Sequence, residues 1–476
     1  MKNFLLAIPI LLSTSCTISP VGNDTVAWPL KRSANGRYLV DQNNKPFFIN
    51  GDSPQRLMGS LSEADAENYF ANREKYGINA VWVHLYTSWG PKMNGDPFTN
   101  GSDISTPKEA YFAHVDRFLN MAKQHGIVVF LGIPGVNGLY NPDVDSYANQ
   151  GAKKSYNFGR YLGNRYKDQG NIVWTIGNDY KQYVNDSIDS VVRRAADGIK
   201  ETDTGNHPIT IELYPTPNTS ADGTKWIPYI NINLAYSYGP TYNVVKRAYN
   251  QNKGPVVFFE GVYETDGTPF SCRHGYCGTP RILRSVEHWA VLSGALGGQF
   301  YGYESDLNSA ENNQGGISNL DTDPQKQLLH VRNLYSTRRW YDLVPDSNHT
   351  IVTNGYGDCP VGAEWKYDFG SAICTATAST PDGKLVISYM ERPRATTVDM
   401  SKLAGPAKAQ WLSLTTGEYT AIADSPVPNS GLKVFTPPEG GDGDWVLLLE
   451  APVRRNEFQI FNQFFPALCD SSLSDL

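Results

Sequence analysis

The sequence predicts an α/β fold, a (β/α)8 TIM barrel followed by a smaller C-terminal β-sandwich. Three observations carry that expectation. Short apolar runs alternate with longer amphipathic ones from about residue 45 to 340, the rhythm of βα repetition. Beyond about residue 345 helical periodicity fades into short β-rich runs separated by turns. The 476 residues are too many for one ordinary domain and suit a barrel plus a second module.

Each element has its own signal. Phe47-Phe48-Ile49 is the first strand and ends in Asn50-Gly51-Asp52. Ser62 then caps a helix, with Asp65 three residues on and Gly77 at its end. Residues 78–85 form the second strand. Thr106-Pro107 opens the next helix, because proline is tolerated at the first helical position, and Gly126 stops it. Strands three and four are 127–132 and 172–176, and the second half adds 209–213, 230–236, 256–259 and 297–303. Such a series closes into a barrel. The competing doubly wound sheet would bring a glycine-rich phosphate loop after an early strand, and none follows Ile49. Residues 385–389 and 444–449 mark sandwich strands, with Pro437-Pro438-Glu439-Gly440-Gly441 as a turn between strands. The expected division is a signal peptide or lipoprotein signal at 1–20, the barrel at 25–344, the sandwich at 345–452 and an unassigned apolar tail at 453–476.

Bulk properties narrow the classes. Net charge is −7 with both signs mixed along the chain, which lacks the clustered Lys/Arg of a nucleic-acid binder. Lys2, the short apolar run 4–12 and the small residues Ser13-Thr14-Ser15-Cys16 read as an export signal, too short to span a bilayer. Cys16 as a lipidated first residue and ordinary secretory cleavage remain alternatives. Either way the protein is expected to be exported, secreted or lipid-anchored at the cell surface, with no transmembrane segment. In an oxidising compartment the spacings predict disulfides Cys272–Cys277 and Cys359–Cys374, leaving Cys469 odd. No His/Cys spacing suggests a metal, and no cofactor is expected.

In a barrel of this kind, chemistry sits at the C-terminal ends of strands. Asp179 follows the apolar run 172–177, and Glu260 follows Val256-Val257-Phe258-Phe259. A carboxylate at the mouth of a buried strand loses water and needs a partner or a proton. One such residue alone is more often a helix cap or an arginine partner. Two, after strands four and seven, match the pair that glycoside hydrolysis requires: one protonates the leaving oxygen, the other attacks the sugar carbon. Asp52, His84, Tyr86, Trp89, Tyr236 and Tyr301 follow strands one, two, six and eight and are expected to line the pocket, with Trp89 as the sugar-stacking ring. Asp52 could instead shape a turn, and His84 could be a wall residue. Glu212 lies inside a strand run and could face either way. Tyr236 is expected to donate a hydrogen bond to Glu260, and Asn178 to face the hydroxyl beside the scissile carbon.

The stretches 47–54, 105–112, 159–166, 171–179 and 297–302, among them Asn171-Ile172-Val173-Trp174-Thr175-Ile176-Gly177-Asn178-Asp179, make the chain resemble the apiosidase-like glycoside hydrolase family nearly end to end. That resemblance implies the barrel, an acid/base on strand four and a nucleophile on strand seven, roles that map onto Asp179 and Glu260. Asn178 departs from the glycine often found there. Residues 411–419, 436–438 and 444–447 resemble the collagen-binding-type β-sandwich found in this family; the expected task here is packing on the barrel, not collagen binding. The expected activity is retaining hydrolysis of a plant or microbial polysaccharide or oligosaccharide by a monomer. A carbohydrate-binding protein without catalysis is the alternative, and a collagen-directed peptidase lacks a nucleophile elbow or HExxH site.

Overall fold

A computed structural model describes residues 26–86, 95–137, 147, 149–214, 216–265, 277–303, 320–359, 374–439 and 443–452, with backbone alone at 134–137 and 182. Eight parallel strands form the barrel: β1 (Ile49–Asp52), β2 (Ala80–His84), β3 (Val128–Asn137), β4 (Ile172–Tyr180), β5 (Ile209–Leu213), β6 (Asn233–Tyr236), β7 (Val256–Glu260) and β8 (Ala295–Tyr301). Their hydrogen-bonded order runs β5-β4-β3-β2-β1-β8-β7-β6, so the sheet curls round and leaves one seam, between β5 and β6. The seam is sewn by side chains. Ile209 N donates to Asn231 Oδ1 at 2.9 Å, Ser220 Oγ donates to Ile211 O at 2.6 Å, and Leu234 N donates back to Ser220 Oγ at 3.0 Å. This is why the sixth strand starts at Asn233 and not at Ile230: Asn231 is used as a stitch.

Inside, Trp82, Phe130, Phe259 and Phe300 meet at ring separations of 4.5–5.6 Å and plug the barrel. Outside, α1 (Glu63–Lys75), α2 (Glu109–Gln124), α3 (Gly151–Tyr166), α4 (Asp186–Thr202), α5 (Thr241–Gln251), α6 (Pro280–Leu292) and α7 (Asp323–Ser336) wrap the strands. Ser62 caps α1 by accepting from Asp65 N at 3.1 Å, and Gly77 beyond its end is left-handed at φ 67°. The expected start of α2 at Pro107 is corrected: the helix begins at Glu109. Thr106 Oγ1 donates to Asp103 O at 2.8 Å, so its hydroxyl serves the preceding turn, and Pro107 pairs with Phe98 in an isolated bridge. Gly159 on α3 permits close contact with α4, because a Cβ there would lie 2.1 Å from Ala195 O. Phe47 belongs with Pro46 to a separate small antiparallel sheet, so β1 begins at Ile49.

The C-terminal part is two antiparallel sheets. Six strands pair in one, with Leu385–Met390, Trp445–Glu450 and Lys408–Ser413 at its centre, and Val352–Asn354, Thr396–Asp399 and Leu432–Phe435 form the other. Period-two alternation divides the central strands. Val386, Leu447 and Leu449 fill the space between the sheets. Ile387, Tyr389, Val446 and Leu448 share a core with the barrel. At that junction Arg284 on α6 grips Asp444 with two bonds of 2.9 and 2.7 Å, both side chains sealed from solvent. Cys359 and Cys374 are bridged with Cα atoms 4.5 Å apart. Cys277 is disulfide-bonded, while Cys272 lies outside the described residues, as do the N-terminal signal and the apolar tail. Among the described residues no helix is long and apolar enough to cross a membrane.

Removing one member of a buried ion pair strands the other charge. Arg284→Met or Asp444→Leu alone should lower unfolding free energy by about 3–5 kcal/mol. The double variant should lose much less than the sum. Denaturant titration of the four proteins in a double-mutant cycle measures this.

Candidate active site

The strand ends hold three carboxyl groups together. Asp179 is carried by a distorted end of β4. Gly177 and Asp179 have φ of 73° and 51°, and the pairing register with β5 shifts between Ile176 and Tyr180. Asp tolerates the left-handed region better than most residues, and the bulge turns its side chain relative to the regular strand. A Cβ on Gly177 would lie 2.7 Å from Tyr180 Cβ, so glycine is required in this turn. Tyr236 Oη donates to Asp179 Oδ1 at 2.8 Å.

Glu260 ends β7 and is 5% exposed. A register shift at the β6–β7 ladder sets Tyr236 opposite it, and Tyr238 O–H donates to its Oε1. The two tyrosine rings stand 5.6 Å apart, so one short segment after β6 holds both carboxyls. The expected Tyr236–Glu260 bond is thus corrected: Tyr236 serves Asp179, and Tyr238 serves Glu260. Residues two apart share a face, which is why the neighbouring tyrosine reaches the neighbouring carboxylate.

The third carboxyl is Glu212 on β5, fully buried. Asn178 Nδ2 donates to its Oε2 at 3.0 Å. Burial, then the charges of Glu260 and Asp179, push Glu212 well above the ordinary carboxylate range. Burial also pushes the Tyr236 hydroxyl up, followed by the charges of Asp179 and Glu260, so it remains a donor. Asn178, expected from sequence to face the hydroxyl beside the scissile carbon, is directed to Glu212. The signal for Glu212 was present: Ile209, Ile211 and Leu213 face the helices, leaving Thr210 and Glu212 for the interior.

Two other expected pocket residues turn away from the interior. Gly51 and Phe300 touch inside, since a Cβ on Gly51 would lie 2.5 Å from the Phe300 ring. Alternation then points Asp52 and Tyr301 outward. Asp52 is bound by Arg73 at 2.8 Å, Tyr69 at 2.8 Å and its neighbour Ser53 N at 2.8 Å. Tyr301 donates to Glu264 near Thr322, and is 1% exposed. Tyr86 packs edge-on against Phe98 at 5.2 Å and is buried. His84 shares the inner face with Trp82, their rings 5.6 Å apart. Burial, then the charge of Arg56, lowers its pKa to about 4, and its Nε2 meets no partner among the described residues. Trp89 lies outside the described residues. Among those residues no group of three or more His, Cys, Asp or Glu is placed to hold a metal ion.

A family model described as "Apiosidase-like, catalytic domain" matches residues 33–342. The chain belongs to that family, and it is a glycoside hydrolase. Residues 370–450 match a second model, "Putative collagen-binding domain of a collagenase". Among solved structures, one called "Glycoside hydrolase" is 21% identical with a TM-score of 0.72, over 89% of this chain and 97% of its own. A glycoside hydrolase family 5 protein from Bacteroides vulgatus ATCC 8482 is also 21% identical, with a TM-score of 0.71, over 89% and 93%. At such identity these share the fold. No curated protein matches. The apiosidase-like match runs from the small N-terminal sheet through α7 and so contains all three carboxyls of the site.

His84 should stay neutral through the range where an exposed histidine charges. Its folded pKa is about 4 against 6.5 for the unfolded chain, so between those values the unfolded state binds more protons and stability falls as pH drops. Ring-proton NMR should show His84 shifts flat down to about pH 5.

Proposed function

We propose that this enzyme hydrolyses a glycosidic bond of a plant or microbial polysaccharide with retention, Asp179 acting as general acid/base and Glu260 as nucleophile. The observation that carries the reading is the pair of tyrosine bonds after β6: Tyr236 to Asp179 and Tyr238 to Glu260. They fix two carboxyls at one end of a plugged barrel, in the place where catalysis occurs in this fold. Asp179 delivers its proton to the leaving oxygen while a Glu260 oxygen bonds to the anomeric carbon and the C–O bond breaks. Water, losing its proton to Asp179, then displaces Glu260 and releases the sugar. Tyr238 keeps one Glu260 oxygen engaged and so orients the carboxylate. His84 and Asn178 supply further polar groups at the mouth. The disulfides at Cys359–Cys374 and Cys277 support an oxidising location outside the cytoplasm, in keeping with the N-terminal export pattern.

The test is a panel of aryl glycosides and pectic oligosaccharides. Glu260→Ala should abolish turnover. Asp179→Ala should slow substrates with poor leaving groups by about 10²–10⁴-fold and spare those with good ones, which depart without a proton. Proton NMR of the first product should show the substrate's own anomer. The opposite anomer would remove the retaining assignment even if both residues proved essential.

A further inference from the structure

The third carboxyl has no task in the two-carboxylate scheme. Glu212 lies at 0% exposure on β5, joined through Oε2 to Asn178, and Glu260 is the charge that acts on it most. Its Oε1 meets no N–H or O–H donor among the described residues. A carboxyl sealed from water with one neutral donor and one oxygen without a donor is poorly placed to carry charge. Two carboxyls side by side can share a hydrogen bond only when one carries a proton, because an ionised carboxylate only accepts. Placing two negative charges together on Glu212 and Glu260, beside Asp179, would cost far more than leaving one of them neutral.

Which carboxyl keeps the proton follows from the donors. Glu260 receives the Tyr238 hydroxyl, which stabilises negative charge on it. Asp179 receives Tyr236 and, as the general acid, holds its own proton before turnover, so the choice lies between Glu260 and Glu212. Among the described residues Glu212 receives only the weaker donor, a neutral amide, and the charged groups that act on it most are Glu260 from β7 and Asp179 from β4. Tyr236, from β6, donates to Asp179, and its hydroxyl feels the charges of all three carboxyls.

We propose that Glu212 is a neutral carboxylic acid in the resting enzyme, donating a hydrogen bond to Glu260 and accepting one from Asn178. It is a positioning residue: it touches the nucleophile and not the substrate. Its O–H, together with the Tyr238 bond to Oε1, holds the Glu260 carboxylate in one orientation. Through Asn178 it also ties the nucleophile to the residue that precedes the acid/base, so β4, β5 and β7 hold the pair as one unit. This deepens the reading of Glu260 as nucleophile and rests on it.

The decisive measurements need no substrate. The infrared difference spectrum of wild type minus Glu212→Gln at pH 7 should show a protonated carboxyl C=O band. Wild-type stability relative to Glu212→Gln should also decline as pH rises above about 4.5. There the unfolded Glu loses its proton while the folded one keeps it, so the unfolded state binds fewer protons. Absence of the band, or a flat stability difference, overturns the proposal. A third readout uses whichever aryl glycoside the wild type hydrolyses. Glu212→Ala should lose about 10²-fold in kcat, as misplaced catalytic groups do. Glu212→Gln, which can still donate to Glu260 and accept from Asn178, should stay within about tenfold of wild type. If Gln is as slow as Ala, a neutral donor is not what the site needs, and the positioning role falls. If instead Glu260→Ala retains turnover, the nucleophile assignment fails, while the infrared and stability results still decide the protonation of Glu212.

Discussion

The aromatic plug of Trp82, Phe130, Phe259 and Phe300 is what the site stands on. These rings come from four strands and close the barrel interior to water. A closed interior gives every strand side chain two destinations, the plug or the helices. It also makes the strand ends a floor: Glu260 directly follows Phe259, and His84 lies two residues beyond Trp82. Polar groups placed on that floor are poorly hydrated, and each must find a protein partner or change its charge. The neutral His84 and the raised Glu212 are both consequences of being seated there.

The same constraint explains why tyrosines do so much here. A lysine or arginine beside Asp179 and Glu260 would bind them tightly and hold both charges in place. A phenolic hydroxyl offers one directional hydrogen bond with no net charge, so each carboxyl is oriented while its protonation remains free to change. Tyr236 and Tyr238 provide this from one segment, and the mutual edge-on contact of their rings fixes both hydroxyls together. Ion pairs occur instead on the helix side of the barrel, as with Asp52 and Arg73, where no proton has to move.

How much was legible in the sequence follows from parity and distance. Strand positions were readable because apolar runs and glycines punctuate them; β5 was found residue for residue. Asp179 and Glu260 were visible because a charge ending a buried run is an anomaly. Facing was harder. The sequence shows that Asp52 and Tyr301 follow strands, but not that the Gly51–Phe300 contact takes the inner position beside each. Glu212 was readable in principle from Ile-Thr-Ile-Glu-Leu, yet its importance depends on Asn178 and Glu260, 34 and 48 residues away in the chain by number. Likewise Tyr236 and Tyr238 could be placed near the site, but the choice of partner rests on a register shift that no local pattern announces.

The sandwich belongs in the same argument, because α6 cannot do without it. Every residue of that helix from Leu283 to Leu292 is buried, which a surface helix of a bare barrel would not be. Its inner side reaches β8, where the Glu287 carboxyl accepts from Gln299 N at 2.9 Å. Its outer side meets the sandwich: Arg284 on Asp444, Ser285 on Tyr389 at 2.6 Å, and His288 stacked on the Tyr389 ring at 4.5 Å. Trp289 donates to Cys374 O at 3.1 Å, so the bridged cysteine is part of the same junction. Without the sheet, Trp289 alone would lose about 1.5–3 kcal/mol of burial and Arg284 its counter-charge. The strand supported by α6 is hydrogen-bonded on one side to β7, which carries Glu260. The second module therefore acts mechanically on the first: it completes the environment of the helix that holds the strand beside Glu260.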